Sequence, residues 1–133
     1  MDNVLKKYIN CFQNLKENNI DVLLECVSED IIFIDPFNKI TGKDAVEEMF
    51  KKMFKKTKKP NFKVLYAIGD HEIKLIKWNF SCIIFGKTIE FSGLSEIKIK
   101  KNVIIQHEDF WDSGRNLYCN IPLLGKIFKK IHK

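Results

Sequence analysis

The sequence predicts an α+β fold, in which N-terminal helices pack on a strongly curved antiparallel sheet. The first observation is a change of hydrophobic period at Pro60. Before it, apolar residues recur every three or four positions, and after it they alternate with polar ones. The second is the order of the elements, because helices followed by four long consecutive strands are typical of an antiparallel sheet with helices on one face.

Three helices are predicted in the first half of the chain. Residues 2–16 and 42–56 each place their apolar side chains along one helical stripe. A shorter helix over residues 20–27 lies between them and begins near Asn19 or Asp21, both of which are good N-cap residues. These three helices supply the apolar faces that cover the sheet.

One short strand precedes Pro36, and the long strands follow Pro60. Asp35 stands at the end of the short strand because the residue before a proline is held in extended geometry. Gly86-Lys87 is typical of a tight hairpin turn. The strands are predicted over residues 31–35, 62–68, 73–85, 88–100 and 103–112. Helical spacing returns over residues 121–131, which predicts a basic C-terminal helix.

The phase of each strand predicts which side chains face the helices. In the fourth strand the inner phase includes Phe91, Gly93 and Ser95. In the last strand every second residue from 103 to 111 is inner, which leaves Ile104 on the outer face with Phe110.

Length and composition predict a single domain over residues 1–133. The chain is 45% hydrophobic and 30% charged, which is typical of a globular domain. No apolar run reaches the roughly 20 residues of a membrane span. The first residues have no apolar signal core, so a cytoplasmic protein is expected.

The charge pattern argues against a nucleic-acid partner despite a net charge of +6. Arg115 is the single arginine among 23 basic residues, whereas nucleic-acid readers favour the bidentate arginine fork. The dense run Lys51–Lys59 is interpreted as the solvated end of a helix, with a binding patch as the alternative.

The cysteines and histidines predict neither a metal nor a cofactor. No two cysteines have the spacing of a zinc site. Asp70–Glu72 brackets one histidine, which is too few fixed ligands for a metal. Free thiols are therefore expected at Cys11, Cys26, Cys82 and Cys119.

Several segments together resemble the NTF2-like superfamily and its SnoaL-like and ketosteroid-isomerase-like members. They are Phe33-Ile34-Asp35-Pro36, Gly42-Lys43-Asp44-Ala45-Val46, His107–Asp112, Leu117-Tyr118 and Ile121–Gly125. The resemblance covers essentially the whole chain. It implies a cone-shaped α+β fold with an apolar pocket, which is commonly dimeric through the outer face of the sheet.

The resemblance also implies candidate catalytic residues. Asp35 resembles the isomerase's general base, and Tyr8 falls at its helix-1 tyrosine. Ser95 stands where the isomerase has a second, protonated aspartate, so its full constellation is absent. His107 and Asp109 occupy the late strand on which other members place an acid/base aspartate or histidine.

Each of these candidate catalytic residues could have a purely structural role instead. Asp35 is also suited to capping the turn at Pro36. His107 and Asp109 are equally compatible with a satisfied buried pair, and Tyr8 with an ordinary core residue.

Aromatic residues in the inner phases predict a pocket for a small apolar molecule. Polar residues interrupt these phases, and burying each one unpaired would cost about 1–3 kcal/mol. A wet or ligand-filled space avoids that cost. The expected lining is Phe12, Phe50, Phe54, Trp78, Phe80, Phe91, Ser95 and Trp111.

Three functions remain open at this point. The first is cofactor-free acid/base catalysis by an isomerase, lyase or cyclase, with a ketosteroid-isomerase-like reaction as one variant. The second is a non-catalytic ligand-binding or dimeric interaction module. A homodimer is expected from Leu94, Ile104 and Phe110 on the outer face. The third and least favoured function is an interaction protein that uses the basic C-terminal helix, and membrane contact by that helix is not expected.

Overall fold

The computed structural model describes residues 3–116. Within this range the helices are Asn3–Gln13 (α1), Ile20–Leu24 (α2), Lys43–Lys56 (α3) and Ser113–Asn116 (α4), with a 3-10 helix at Glu17–Asn19. The strands are Val27–Ile34 (β1), Lys39–Thr41 (β2), Lys58–Gly69 (β3), Ile73–Ile84 (β4), Lys87–Lys100 (β5) and Val103–Phe110 (β6). The predicted helix over residues 121–131 lies outside the described residues, as does Cys119.

The strands form one sheet in the order β2-β1-β6-β5-β4-β3. Strands β3 to β6 make the predicted antiparallel meander, and the α+β class with a curved sheet is confirmed. The prediction that every strand runs antiparallel is wrong at one seam, because β1 pairs with β6 in parallel. The long connection from β1 through α3 and the meander allows this orientation, which a tight hairpin would forbid.

The structure differs from the sequence prediction around the first strand. Strand β1 begins at Val27 rather than at residue 31, and α2 ends at Leu24. Val27 pairs with Ile104 on β6, a distant partner that local periodicity does not reveal. Strand β2 was missed because its three residues are too few to show an alternating pattern.

A β-bulge in β6 changes which residues face the core. Lys98 pairs with Gln106, yet the next residue, Ile99, pairs with Ile104, so Ile105 is the extra residue. Because the bulge shifts the phase by one, Ile104 turns inward and is 0% exposed. The prediction that Ile104 lies on the outer face is therefore wrong.

Helices α1 and α3 cover the inner face of the sheet. Leu5 and Tyr8 of α1 are almost completely buried, as is Val46 of α3. Phe50 of α3 packs edge-on against Phe12 of α1, which joins the two helices above the sheet. No helix within residues 3–116 is long and apolar enough to cross a membrane.

Candidate functional site

A small cavity lies between α1 and the inner faces of β3 to β6. Its volume is about 30 Å³. Because a water molecule requires roughly 10–15 Å³ by this measure, the cavity has room for about two or three water molecules. It is lined by Tyr8, Ile9, Phe12, Phe62, Val64, Ile76, Trp78, Ser95, His107 and Asp109.

Five of the lining side chains form a continuous hydrogen-bonded group, which we call the polar network. Tyr8 Oη lies 2.7 Å from His107 Nδ1, and His107 Nε2 lies 2.6 Å from Asp109 Oδ1. The Ser95 hydroxyl also bonds Asp109 Oδ1. Trp78 Nε1 lies 2.8 Å from Ser95 Oγ, which ends the network. The site therefore joins α1 to three adjacent strands.

The chemistry of the donors fixes the direction of these bonds. An indole N–H can only donate, so Trp78 donates to Ser95, which in turn donates to Asp109. When His107 Nε2–H also donates to Asp109, Nδ1 is left to accept the phenolic proton of Tyr8. Every hydrogen in the polar network then points towards Asp109, which is the arrangement that an ionised carboxylate requires.

The two oxygens of Asp109 are bound differently. Oδ1 accepts from both Ser95 and His107. Oδ2 makes no hydrogen bond within residues 3–116, and the Asp109 side chain is 18% exposed. Among the described residues, the carboxylate is thus held by Oδ1 alone.

Sheet register places these groups together. Ser95 and Asp109 are directly paired across β5 and β6, and cross-strand partners share a face. Trp78 is paired with Gly93, where an added Cβ would lie 2.2 Å from the indole ring. The absence of a side chain at Gly93 therefore lets the indole lie across β5 and reach Ser95.

Aromatic rings fix the imidazole of His107. The ring stacks on Phe33 at 4.3 Å between centroids with planes inclined by 23°, and Phe12 packs against it at 5.6 Å. His107 is only 4% exposed. Since both ring nitrogens are already bonded, His107 orients Asp109 and has no nitrogen left to bond a ligand.

The phenol of Tyr8 stays protonated in this environment. Burial raises the pKa of Tyr8 well above its ordinary range, and the negative charge of Asp109 raises this pKa further. A phenol that keeps its proton is a permanent donor, as its bond to His107 Nδ1 requires.

The structure places Asp35 in the turn after β1. Its Oδ1 accepts the backbone N–H groups of Phe37 at 2.8 Å and Asn38 at 2.7 Å. The side-chain amide of Asn38 also donates to both carboxylate oxygens. Asp35 is not among the described residues that line the cavity.

The other residues predicted from the sequence divide between the cavity and the core. Tyr8, Phe12, Trp78, Ser95, His107 and Asp109 line the cavity. Phe50 and Phe80 are buried in the core, and Phe54 is partly buried against it. Phe91 and Trp111 stack on each other with centroids 4.5 Å apart, and neither belongs to the lining.

Four apolar lining residues were not singled out from the sequence. They are Ile9, Phe62, Val64 and Ile76. Each belongs to an apolar phase of its helix or strand, a signal that marks an inward side chain. That signal does not separate a cavity wall from a packed core.

No set of three or more His, Cys, Asp or Glu side chains within the described range is arranged to hold a metal ion. Cys11, Cys26 and Cys82 are buried free thiols. Burial raises the pKa of Cys26 to about 11, and that of Cys11 is also raised. Buried neutral thiols of this kind are poor nucleophiles.

Comparisons with known proteins agree with this architecture. A family model described as a SnoaL-like domain matches residues 5–107. A search of curated protein sequences gave no match. Among solved structures, a hypothetical protein with a ketosteroid isomerase-like fold from Catenulispora acidiphila, solved in complex with trimethylamine, is similar at a TM-score of 0.74 and 11% identity. The alignment covers 92% of each chain.

Two further structures share the fold. One is a putative polyketide cyclase from Pseudomonas putida, with a TM-score of 0.72 and 14% identity over 84% of this chain and 92% of that one. The other is an LEH-like epoxide hydrolase from M. tuberculosis, with a TM-score of 0.68 and 16% identity over 82% and 76%. At these identities the similarity establishes the fold alone.

Proposed function

This chain belongs to the SnoaL-like domain family, and from that membership together with its polar network we propose that it binds a small, largely apolar molecule and transfers protons on it without a cofactor. The carrying observation is that Asp109 belongs to the lining of the cavity and has one oxygen bonded twice, while within residues 3–116 the other oxygen accepts no hydrogen bond. That arrangement suits a general base.

In the proposed reaction Asp109 Oδ2 accepts a proton from a carbon next to a carbonyl. The electron pair of the broken C–H bond moves onto the carbonyl oxygen and gives an enolate. Asp109, now a carboxylic acid, returns the proton at another atom of the same intermediate, so the protein ends as it began. This sequence covers isomerisation and the proton transfers of a cyclisation.

Tyr8 and Ser95 are positioning residues in this proposal. Their hydroxyl hydrogens are already donated to His107 and Asp109, so neither is free to stabilise an oxyanion. Instead, Tyr8 selects the His107 tautomer that donates to Asp109, while Ser95 orients the carboxylate. In this proposal the two residues that align with the isomerase's tyrosine and second aspartate therefore orient the base and do not contact the ligand.

Two structural relatives support the reaction class. The Pseudomonas putida protein is described as a putative polyketide cyclase, and the M. tuberculosis protein as an epoxide hydrolase. Acid/base catalysis suits reactions of both kinds, and the role proposed for Asp109 is of this type. The aromatic and aliphatic lining favours an apolar substrate.

A non-catalytic binding module is the second candidate. The observation that favours it is the saturation of His107, whose two nitrogens and stacked faces leave it no contact to offer a ligand. In such a module the polar network would serve only to order α1 against the sheet.

Ligand capture followed by turnover separates these two candidates. Wild type and Asp109→Asn are incubated with a metabolite extract, and native mass spectrometry identifies the retained molecule. We expect both proteins to retain it and only the wild type to convert it. Glu108→Gln, on the same strand, is the matched control and keeps wild-type conversion. Retention without conversion by wild type would establish the binding module instead.

A further inference from the structure

An open groove lies against the outside of the cavity wall, between α1 and β3. Its volume is about 320 Å³. Two residues, Ile9 and Val64, line both this outer groove and the inner cavity. The two spaces are therefore neighbours that share a wall of two aliphatic side chains. The groove is lined by Lys6, Ile9, Asn10, Gln13, Val64, Tyr66 and Ala67.

The local structure of β3 explains why the groove is open there. Strand β3 is an edge strand, and its register shifts at Leu65, since Val64 pairs with Trp78 whereas Tyr66 pairs with Lys77. Such a bulge bends the strand. Gln13 Oε1 accepts the Val64 N–H at 2.9 Å, which ties the end of α1 to the strand. The groove lies beside this tie.

The groove is polar on its helix side and apolar on its floor. Lys6, Asn10 and Gln13 recur every three or four residues along one face of α1. Ile9, Val64 and Ala67 supply apolar surface. No acidic residue belongs to the lining, and Lys6 makes no ion pair within residues 3–116. An amphipathic anion matches this combination.

Volume connects the groove with the cavity. The cavity's 30 Å³ is far below the roughly 300–1,000 Å³ of a site for a small organic molecule. The groove's 320 Å³ falls at the lower end of that range. A metabolite larger than the cavity can contact Asp109 if part of it lies in the groove and the side chains of Ile9 and Val64 move aside.

We propose that the outer groove and the inner cavity are two halves of one ligand site, separated by Ile9 and Val64. The ligand is an amphipathic anion whose carboxylate or sulfonate lies at Lys6 and whose apolar body occupies the groove. Displacement of Ile9 and Val64 opens the cavity to the end of that apolar body. This inference rests on the proposed function for the inner half of the site. It adds the substrate class, the point of entry and a specificity-determining cation.

Two fluorescent probes test whether Lys6 binds the anionic group of the ligand. Anilinonaphthalene sulfonate is an amphipathic anion, and N-phenylnaphthylamine is the same ring system without the charge. We expect Lys6→Gln to weaken sulfonate binding about three- to fivefold, the usual effect of one exposed charge, with the Kd of the neutral probe unchanged. Lys63→Gln, which removes an exposed lysine of β3 outside the groove, should change neither Kd. Equal Kd values for both lysine variants would overturn the proposal.

Stopped-flow association tests the shared wall. Ile9→Ala removes most of one side of the wall, so the neutral probe should associate faster, whereas Ile9→Trp should slow its association. Circular dichroism confirms that each variant is folded. If the association rate is the same in both variants, the ligand enters elsewhere and the proposal fails. Neither probe reacts, so these results are independent of whether Asp109 is a catalyst.

Discussion

At Asp109 two donors occupy one carboxylate oxygen and none within the described range occupies the other. At Asp35 both oxygens are bonded, and two of the donors are backbone N–H groups of the next turn. The Asp35 carboxylate is thus committed to holding the turn. Asp109 and Asp35 are the same residue type and differ in how many hydrogen bonds each carboxylate oxygen accepts.

Removing the Tyr8 hydroxyl tests the polar network without touching the carboxylate. Tyr8→Phe leaves the buried His107 Nδ1 without its donor, and an unsatisfied buried group costs about 1–3 kcal/mol. We expect that loss in the free energy of unfolding measured with urea. Tyr66→Phe, at an exposed tyrosine, should change it by less than about 0.5 kcal/mol. Equal losses in both variants would contradict the network.

The buried thiol of Cys26 makes stability depend on alkaline pH. Its pKa rises from 9.0 to about 11 on folding, so the unfolded chain loses the proton first. The protonated Cys26 thiol contributes fully to the free energy of unfolding below pH 9. This contribution is lost as the pH rises through 11, at up to about 1.4 kcal/mol per pH unit. Urea titrations between these values should show a shallower fall for Cys26→Ala than for wild type. Identical slopes would show that Cys26 does not titrate in this way.

At the scale of elements, the position of the site depends on features that interrupt regular strands. Ile104 and His107 are three positions apart, so in a regular strand they would lie on opposite faces. The bulge at Ile105 of β6 lets both of them face inward. Gly93 of β5 leaves the space in which Trp78 lies. Both features shape the surface on which the polar network is assembled.

A side chain at position 93 is predicted to disturb the polar network, because it would occupy the space in which the Trp78 indole lies. In Gly93→Ala the new methyl group would overlap the Trp78 ring, so the indole must move and its bond to Ser95 is lost. We expect a decrease of about 1–3 kcal/mol in the free energy of unfolding, with a change in tryptophan fluorescence. Glu90→Ala, an exposed change on the same strand, should alter neither measurement. An unchanged fluorescence spectrum in Gly93→Ala would contradict this account.

Long helices and strands with a clear hydrophobic period were predictable from the sequence, whereas the pairing between strands was not. The alternation within β5 correctly placed Gly93 and Ser95 on the inner face. The parallel pairing of β1 with β6 and the bulge at Ile105 depend on residues distant in sequence, so no local pattern reveals them. His107 and Asp109 were recognised as polar groups in an apolar phase, but their bonding to Tyr8 and Ser95 required the structure.

At the scale of the whole molecule, the outer face of the sheet carries exposed apolar residues among charged and polar ones within residues 3–116. Phe110 on β6 is 50% exposed and is paired with Leu94 on β5. Tyr66 and Ile68 on β3 are also exposed. Ile104, which had been expected among these residues, lies in the core instead. We propose that this face forms a two-fold homodimer without Ile104.

The dimer is predicted to depend on Phe110. A lysine there would bury a charge at the centre of the interface, so Phe110→Lys should sediment as a monomer at concentrations where wild type is a dimer. Phe85→Lys, at an equally exposed phenylalanine beside the β4–β5 turn, should remain dimeric. Analytical ultracentrifugation measures both. A monomeric wild type at micromolar concentration would contradict the prediction.

The central claim, that Asp109 is a general base in an apolar cavity, is tested most directly by elimination from a nitrobenzisoxazole. A base removes the ring proton, the N–O bond breaks, and the coloured cyanonitrophenolate forms without any cofactor. We predict that wild type accelerates this reaction and that Asp109→Asn lowers kcat/KM by about 10²–10⁴-fold. Asp35→Asn, in a turn, should retain the wild-type value. Loss of activity in Asp35→Asn with full activity in Asp109→Asn would contradict the account.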